Sequence, residues 1–409
     1  MNSKGRKENR YWKRVLSRVD KIVSMNKEIG WYEDVFSYSN LFLYGLKSCK
    51  NVGWKASTQR FKQVLPTATL DTYNKIISNE YTTCRFNEFD IMERGKPRHI
   101  KSVNIKERAI QKLLCDEVLV KLLSPSLIHD NGASLKGKGI HFAHKRLNKH
   151  LKDFYINNGF SNNGYVLTLD FSKYFDTAPH WIVEKQLRRK IMDKNIINIS
   201  MSFIDAFGDI GYGLGSQVSQ LSAITVPNYL DHYIKEKLKI NGYARYMDDS
   251  YLISDSKEYL EHCLEEINKI CDSLGIKLNK KKTKIEKLNS GFTFLKNKVR
   301  LTGSGKIIKR MSYKSIKAMK RKLKIFLHWN RYGRNVDFGK YTDKGIKEFP
   351  LSDIVSSYYS WKAHANIGCN YWSIYRMDKF FIRLFGINIK DKELVRMYVF
   401  SPENEIVSL

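Results

Sequence analysis

Residues 243–254 read Tyr-Ala-Arg-Tyr-Met-Asp-Asp-Ser-Tyr-Leu-Ile-Ser, two β-forming runs joined across a pair of adjacent carboxylates. Strand formers on both sides of a short polar step read as a tight antiparallel hairpin. A third acid ends another apolar run, Tyr165-Val-Leu-Thr-Leu-Asp170, which has the density of a strand buried on both faces. Pairing the two runs antiparallel brings Asp170, Asp248 and Asp249 together. Three close carboxylates repel one another unless a cation compensates, so the chain must fold around that requirement. An Asp-Asp step alone is ordinary turn chemistry. A matching acid on a neighbouring buried strand makes it a site.

Hard oxygen ligands left partly open suit Mg²⁺. Two such ions ~4 Å apart can activate an attacking hydroxyl and neutralise a leaving pyrophosphate, which is nucleotidyl transfer. The charge of the chain agrees, since 72 Lys and Arg against 41 Asp and Glu leave a net +31 whose natural counter-surface is a polyanion. With 42% hydrophobic and 13% aromatic residues this is not a disordered basic tail. The charge is also focused: Lys277 to Lys324 holds 18 Lys and Arg against one acid, Glu286. No apolar run approaches the ~20 residues that cross a bilayer. The basic first residues lead into no apolar stretch, so no secretory leader and no membrane partner are expected. Six cysteines without a C-x-x-C pair argue against structural zinc and a disulfide framework, and a reducing, cytoplasmic setting follows as the expectation.

Up to about residue 80 the pattern is helical and aromatic, with Trp12, Trp31 and Trp54 expected in the core. Phe86 to Ile100 reads as a basic hairpin around Glu93-Arg-Gly-Lys96. Asn104 to Leu123 and Ile140 to Phe154 read as helices flanking the loop Gly132-Ala-Ser-Leu-Lys136-Gly-Lys138-Gly139. That loop superficially fits a P-loop, but Gly139 stands where Ser or Thr is needed, and a nucleic-acid contact fits better. His141 and His144 have no matching acids or cysteines nearby and are expected at the surface. Lys257 to Leu274 reads as a further helix.

Tyr246-Met247-Asp248-Asp249 between strands, following a strand that ends Asp170-Phe171-Ser-Lys-Tyr-Phe175-Asp in a strongly basic chain, resembles the reverse transcriptases, and the likeness extends over most of the chain. It implies an α+β, right-hand polymerase: an N-terminal helical region at 1–80, fingers at 81–164, a palm at 165–300 and a helical thumb at 301–409. The palm would pack an antiparallel sheet with its YMDD hairpin on helices, carry motifs A to E and contain a helical insertion at 181–235.

The resemblance also implies roles. Asp170, Asp248, Asp249 and the carbonyl of Phe171 would hold two Mg²⁺ ions, with Mn²⁺ as a possible substitute. Phe175 would be the bulky gate against a 2′-hydroxyl. Lys96 and Arg98 would grip the triphosphate, the alternative being a solvated basic turn. Gly215 and Gln220, in Leu214-Gly215-x-x-x-Ser219-Gln220, would face the nascent base pair, and Lys282 would help protonate pyrophosphate, although neighbouring lysines compete for that role. Tyr246, Met247, Lys136, Lys138 and Lys296 would touch nucleic acid, as would Lys317, Lys320, Lys324 and Trp361 in the thumb. The implied partners are an RNA template, a DNA primer or product, and dNTPs, with a protein partner or homo-oligomer possible.

The motif B variant is similar to that of bacterial diversity-generating and antiphage-defence reverse transcriptases. The expected role is defence with a dedicated noncoding RNA. The alternatives are mutagenic diversity generation, or template-independent or protein-primed synthesis of the abortive-infection type.

Overall fold

The computed structural model describes residues 3–83, 86–93, 96–213, 215–336, 345–347, 349–368 and 370–388. The fold is α+β, with helices and antiparallel sheets as expected. The first hairpin pairs β1 (Asn87–Glu93) with β2 (Lys96–Ser102). The central sheet takes β3 (Tyr165–Asp170), β4 (Tyr243–Tyr246), β5 (Asp249–Ser254) and β6 (Lys284–Lys287) in the order β4-β5-β3-β6. β3 and β5 are the interior strands of that order, which is why their sequences are the most continuously apolar.

The chain forms two compact units. One comprises Met1–Arg146, Leu169–Leu252 and Glu258–Lys284. Its longest buried helical run begins at Asn104, whose side chain caps Glu107, and passes through Ile105–Leu114 into a π-helical turn at Cys115–Leu119 and on to Val120–Leu123. The uninterrupted apolar face of Leu113, Leu114, Val118 and Leu122 carries it through that turn. Helix Gln217–Thr225 contributes Val218, Leu221 and Ile224 to the same unit's core. Helix Ser3–Ile29 is fastened by Asn26, whose amide donates to the carbonyl of Lys190 at 2.9 Å and accepts from the Met192 amide at 3.0 Å.

The other unit comprises Leu147–Thr168, Ile253–Lys257 and Ile285–Leu409. Its sheet runs β7 (Phe292–Phe294), β8 (Asn297–Leu301) and β9 (Ile307–Met311), all antiparallel. Helices Tyr313–Tyr332, Leu351–Ala365 and Tyr371–Phe385 bury Leu323, Phe326, Tyr358, Met377 and Phe381 against one another. The Tyr358 hydroxyl keeps a partner inside that core by donating to Asp378 at 2.6 Å.

Two expectations are corrected. Trp12, Trp31 and Trp54 are 53%, 59% and 71% exposed, because the core in their neighbourhood is built from Tyr32, Val35, Phe36 and Tyr44 instead. His144 is buried, since it follows Ala143 on the inward face of helix Ile140–Asn157, while His141 is exposed.

Candidate active site

Beneath the Asp248–Asp249 turn lies a buried arginine. Arg245, in the middle of β4, is 1% exposed and Asp231, on helix Asn228–His232, is fully buried. The guanidinium forks onto the carboxylate, Nε to Oδ1 at 2.8 Å and Nη2 to Oδ2 at 2.6 Å, the strong bidentate geometry of an arginine pair. Tyr243 donates its hydroxyl to the same Asp231 Oδ1 at 2.6 Å. Nη2 also donates to the carbonyl of Ile224 at 2.8 Å, and the remaining nitrogen, Nη1, donates to the carbonyl of Met247 at 3.2 Å. The last bond holds the turn itself. Tyr246 pairs with Asp249, leaving Met247 and Asp248 as a two-residue loop, and Met247 has φ +55°. Positive φ at the first loop residue alone is the pattern of a type II′ turn, which favours glycine at that position. A methionine stays there because the Arg245 bond fixes its carbonyl, and the Ser134 hydroxyl lies 4.0 Å from its sulfur.

The third carboxylate arrives on β3. Asp170 is 4% exposed, and the next residue donates its amide to the carbonyl of Asp248 at 3.3 Å. Segment 277–282 lies along the other side. The Asn279 amide donates to the Asp170 carbonyl at 2.8 Å, its side chain donates to Oδ1 at 3.1 Å, and Lys282 Nζ sits 2.6 Å from Oδ2. Burial, then the negative charges of Asp248 and Asp170, push the Asp249 carboxyl up to about 7. The bond to Asp170 and the field of all three acids raise Lys282.

These shifts are a signature of carboxylates that share one space and need a cation. Among the described residues no three His, Cys, Asp or Glu side chains are drawn together as a metal-ligand group as they lie. The cation on Asp170 is the Lys282 ammonium. The donor chemistry nevertheless fits a hard divalent ion: carboxylate oxygens only, no thiolate or imidazole, and a charge that repels itself without one. Phe171 is buried with its ring tilted against Tyr174, whose hydroxyl is used up on the carbonyl of Ala223 at 2.9 Å.

Phe175 is half-buried with its ring edge-on to Tyr212. Gly211, φ +88°, accounts for the closeness of that neighbour. A Cβ there would come within 2.8 Å of the Phe175 carbonyl, which instead accepts from the Tyr212 amide at 2.7 Å. His180 pins the same loop, Nε2 to the Gly211 carbonyl and Nδ1 to Asp205, both at 2.7 Å. Gly215 and Gln220 line a cavity of about 330 Å³ together with Ser134, Gln111 and Gln217. Leu214, Arg94 and Gly95 lie outside the described residues, as do the side chains of Lys96 and Arg98, whose backbone belongs to β2.

The remaining expected contacts are spread over both units. Tyr246 is half-buried, and Gly132 packs against it, since a Cβ there would lie 3.4 Å from its ring. Lys136 is exposed. Lys138 turns inward instead, donating to the carbonyl of His129 at 2.7 Å and lying 3.7 Å over the Phe142 ring. In the second unit Lys296 is the exposed second residue of the β7–β8 turn, where it and Leu295 both have positive φ. Lys317, Lys320 and Lys324 are exposed along one helix face, whereas Trp361 is half-buried with its ring stacked 5.8 Å from Tyr358.

Sequence reasoning missed Arg245, Asp231 and Asn279. The available signal was a charged residue inside an otherwise apolar strand, which demands a partner somewhere in the fold.

The model of the reverse transcriptase (RNA-dependent DNA polymerase) family matches residues 89–303, a span that contains the three carboxylates, Arg245 and Lys282. Protein YkfC of Escherichia coli strain K12 is 28% identical over an alignment covering 39% of this chain, and the chain spans about half of that relative, 51%. Among solved structures, telomerase from Candida albicans in complex with a fragment of telomeric RNA aligns with TM-score 0.44 and 13% identity, over 81% of this chain and 64% of that one. Telomerase from Candida tropicalis, also with a telomeric RNA fragment, aligns with TM-score 0.42 and 14% identity, over 82% and 66%. More than half of the chain thus matches one family model, and the protein belongs to the reverse transcriptase (RNA-dependent DNA polymerase) family.

Proposed function

We propose that the protein copies an RNA template into DNA by adding dNTPs to a primer 3′-hydroxyl. The observation that carries this reading is the buried Asp170 carboxylate, which lies 2.6 Å from the Lys282 ammonium and whose following residue donates its amide to the carbonyl of Asp248 in the Asp248–Asp249 turn, inside the span that matches the family. Reverse transcriptase domains work with divalent metal ions. Here Asp170, Asp248, Asp249 and the Phe171 carbonyl would hold Mg²⁺, which supplies Lewis-acid activation of the hydroxyl and neutralises the phosphates. Lys282, which bonds Asp170 at 2.6 Å, would be the proton donor to the departing pyrophosphate once a divalent ion held that carboxylate. Phe175, backed by Tyr212, closes the space a 2′-hydroxyl would need, and the cavity beside Gly215 and Gln220 receives the new base pair.

Lys96 and Arg98 meet the triphosphate. Tyr246, Met247, Lys136, Lys138, Lys296, Lys317, Lys320, Lys324 and Trp361 belong to the nucleic-acid path, within the division into N-terminal region, fingers, palm and thumb given above. The template in this reading is a dedicated noncoding RNA and the setting is antiphage defence. The motif B variant is equally similar to that of diversity-generating reverse transcriptases, and mutagenic diversity generation is the second reading.

Primer extension on an RNA template tests the reaction. Asp248→Ala or Asp249→Ala should cost on the order of 10³-fold in rate with little change in RNA affinity. Unchanged incorporation by either variant refutes the assignment. Sequencing the nucleic acid that co-purifies with the protein separates the two settings, because a fixed noncoding template and a set of diversified products look different.

A further inference from the structure

Helix Ser3–Ile29 borders a cavity of about 570 Å³ closed on its other sides by residues 122–127, the end of helix His180–Arg188 and helix Asn228–His232. Arg18, Lys21, Arg189 and Lys190 stand on its wall, and it shares no residue with the carboxylate cluster or with the cavity beside Gly215. Arg18, Lys21 and Arg189 are exposed and Lys190 is half-buried. Among the described residues no ion pair joins any of these four. The acid on that wall, Glu236, is bonded to His232 at 2.7 Å. Burial, together with the charges of Arg18 and Lys21, lowers the pKa of Lys190.

The shape of the charge narrows which anion. Tyr11, Arg14, Arg18 and Lys21 follow at three- and four-residue spacing and so share one helix face, ten residues or about 15 Å long. Tyr11 is 60% exposed at the far end. A compact anion would use one cluster. A cationic track that ends on an exposed ring matches a strand, with phosphates along the cations and a base on the aromatic. We propose that this cleft and the helix face leading out of it bind the phosphodiester backbone of a nucleic acid strand, outside the catalytic cluster. The proposal rests on the reading of the protein as a nucleic-acid polymerase.

Fluorescence anisotropy of a labelled single-stranded RNA on the full chain, titrated over a range of salt, tests it without requiring catalysis. Each lost phosphate contact flattens the dependence of log K on log[salt] by about 0.7 for a single strand, so Arg18→Ala/Lys21→Ala/Arg189→Ala should flatten it by about 2. The charge-preserving Arg18→Lys/Lys21→Arg/Arg189→Lys should keep the parent slope. Should the triple variant unfold, Arg18→Ala alone, at an exposed position, should still remove about 0.7. A flatter slope with RNA or with DNA of the same sequence supports a backbone site, and comparing the two says which strand it prefers. Parallel lines for both polymers overturn the proposal, as does an effect confined to inorganic tripolyphosphate. A parent that incorporates dNTPs while its slope is untouched by the substitutions loses this inference alone. One that incorporates nothing while the slope falls loses the polymerase reading and keeps the site.

Discussion

Met247 occupies a turn position that glycine would fill at no cost, and the Arg245–Asp231 pair below is what keeps it there. Removing one partner strands a buried charge, so Asp231→Ala should cost about 3–5 kcal/mol in denaturant unfolding. Replacing both at once, Arg245→Met with Asp231→Leu, should recover much of that stability, because an apolar pair avoids the desolvation cost. It should not recover nucleotide incorporation, since Met247 loses its donor. A double variant that is both stable and fully active would show that the pair serves folding alone. Phe175→Ala should raise ribonucleotide incorporation relative to dNTPs, as the wall against the 2′-hydroxyl goes while Tyr212 stays; an unchanged ratio puts the gate elsewhere. Asp170, Asp248 and Asp249 were legible in the sequence because acids ending apolar runs stand out against their surroundings. Arg245 was not, because its partner lies fourteen residues upstream on a helix. Asn279 was hidden in a lysine-rich stretch where only tertiary contact with Asp170 distinguishes it.

Among the elements, helix Tyr313–Tyr332 separates its two faces cleanly, with Met319, Leu323 and Phe326 inward and Lys317, Lys320 and Lys324 outward. Neutralising the three lysines should flatten the salt dependence of RNA binding by about two to three units if each meets a phosphate, measured by the same titration. A parallel line would remove this helix from the nucleic-acid path. Helical spacing made the run from Asn104 to Leu123 legible in the sequence. The π-helical turn at Cys115–Leu119 left no mark, because an apolar face that continues on both sides conceals one extra residue per turn. The tryptophans misled for the opposite reason. A large apolar side chain argues for burial only where a neighbouring element exists to cover it, and sequence does not say where the covers are.

Over the whole molecule, the +31 charge sets how the protein behaves without its partner. Like charges this dense destabilise the compact state, so added salt or inorganic polyphosphate should raise the thermal midpoint by several degrees. A midpoint indifferent to both would mean that the cations are already neutralised within the fold. A different consequence follows from the order of the central sheet. β4 is an outer strand, yet its free side is taken: Arg245 accepts from the Gly132 amide at 2.8 Å and donates to the Asp130 carbonyl at 3.2 Å. An outer strand with vacant hydrogen-bonding groups is a template for adding foreign strands. A shortened protein that begins after Arg146 would uncover that side of β4 and expose the sheet to stacking copy on copy, so the loop at 130–132 acts as a guard against aggregation on the same strand that leads to the Asp248–Asp249 turn.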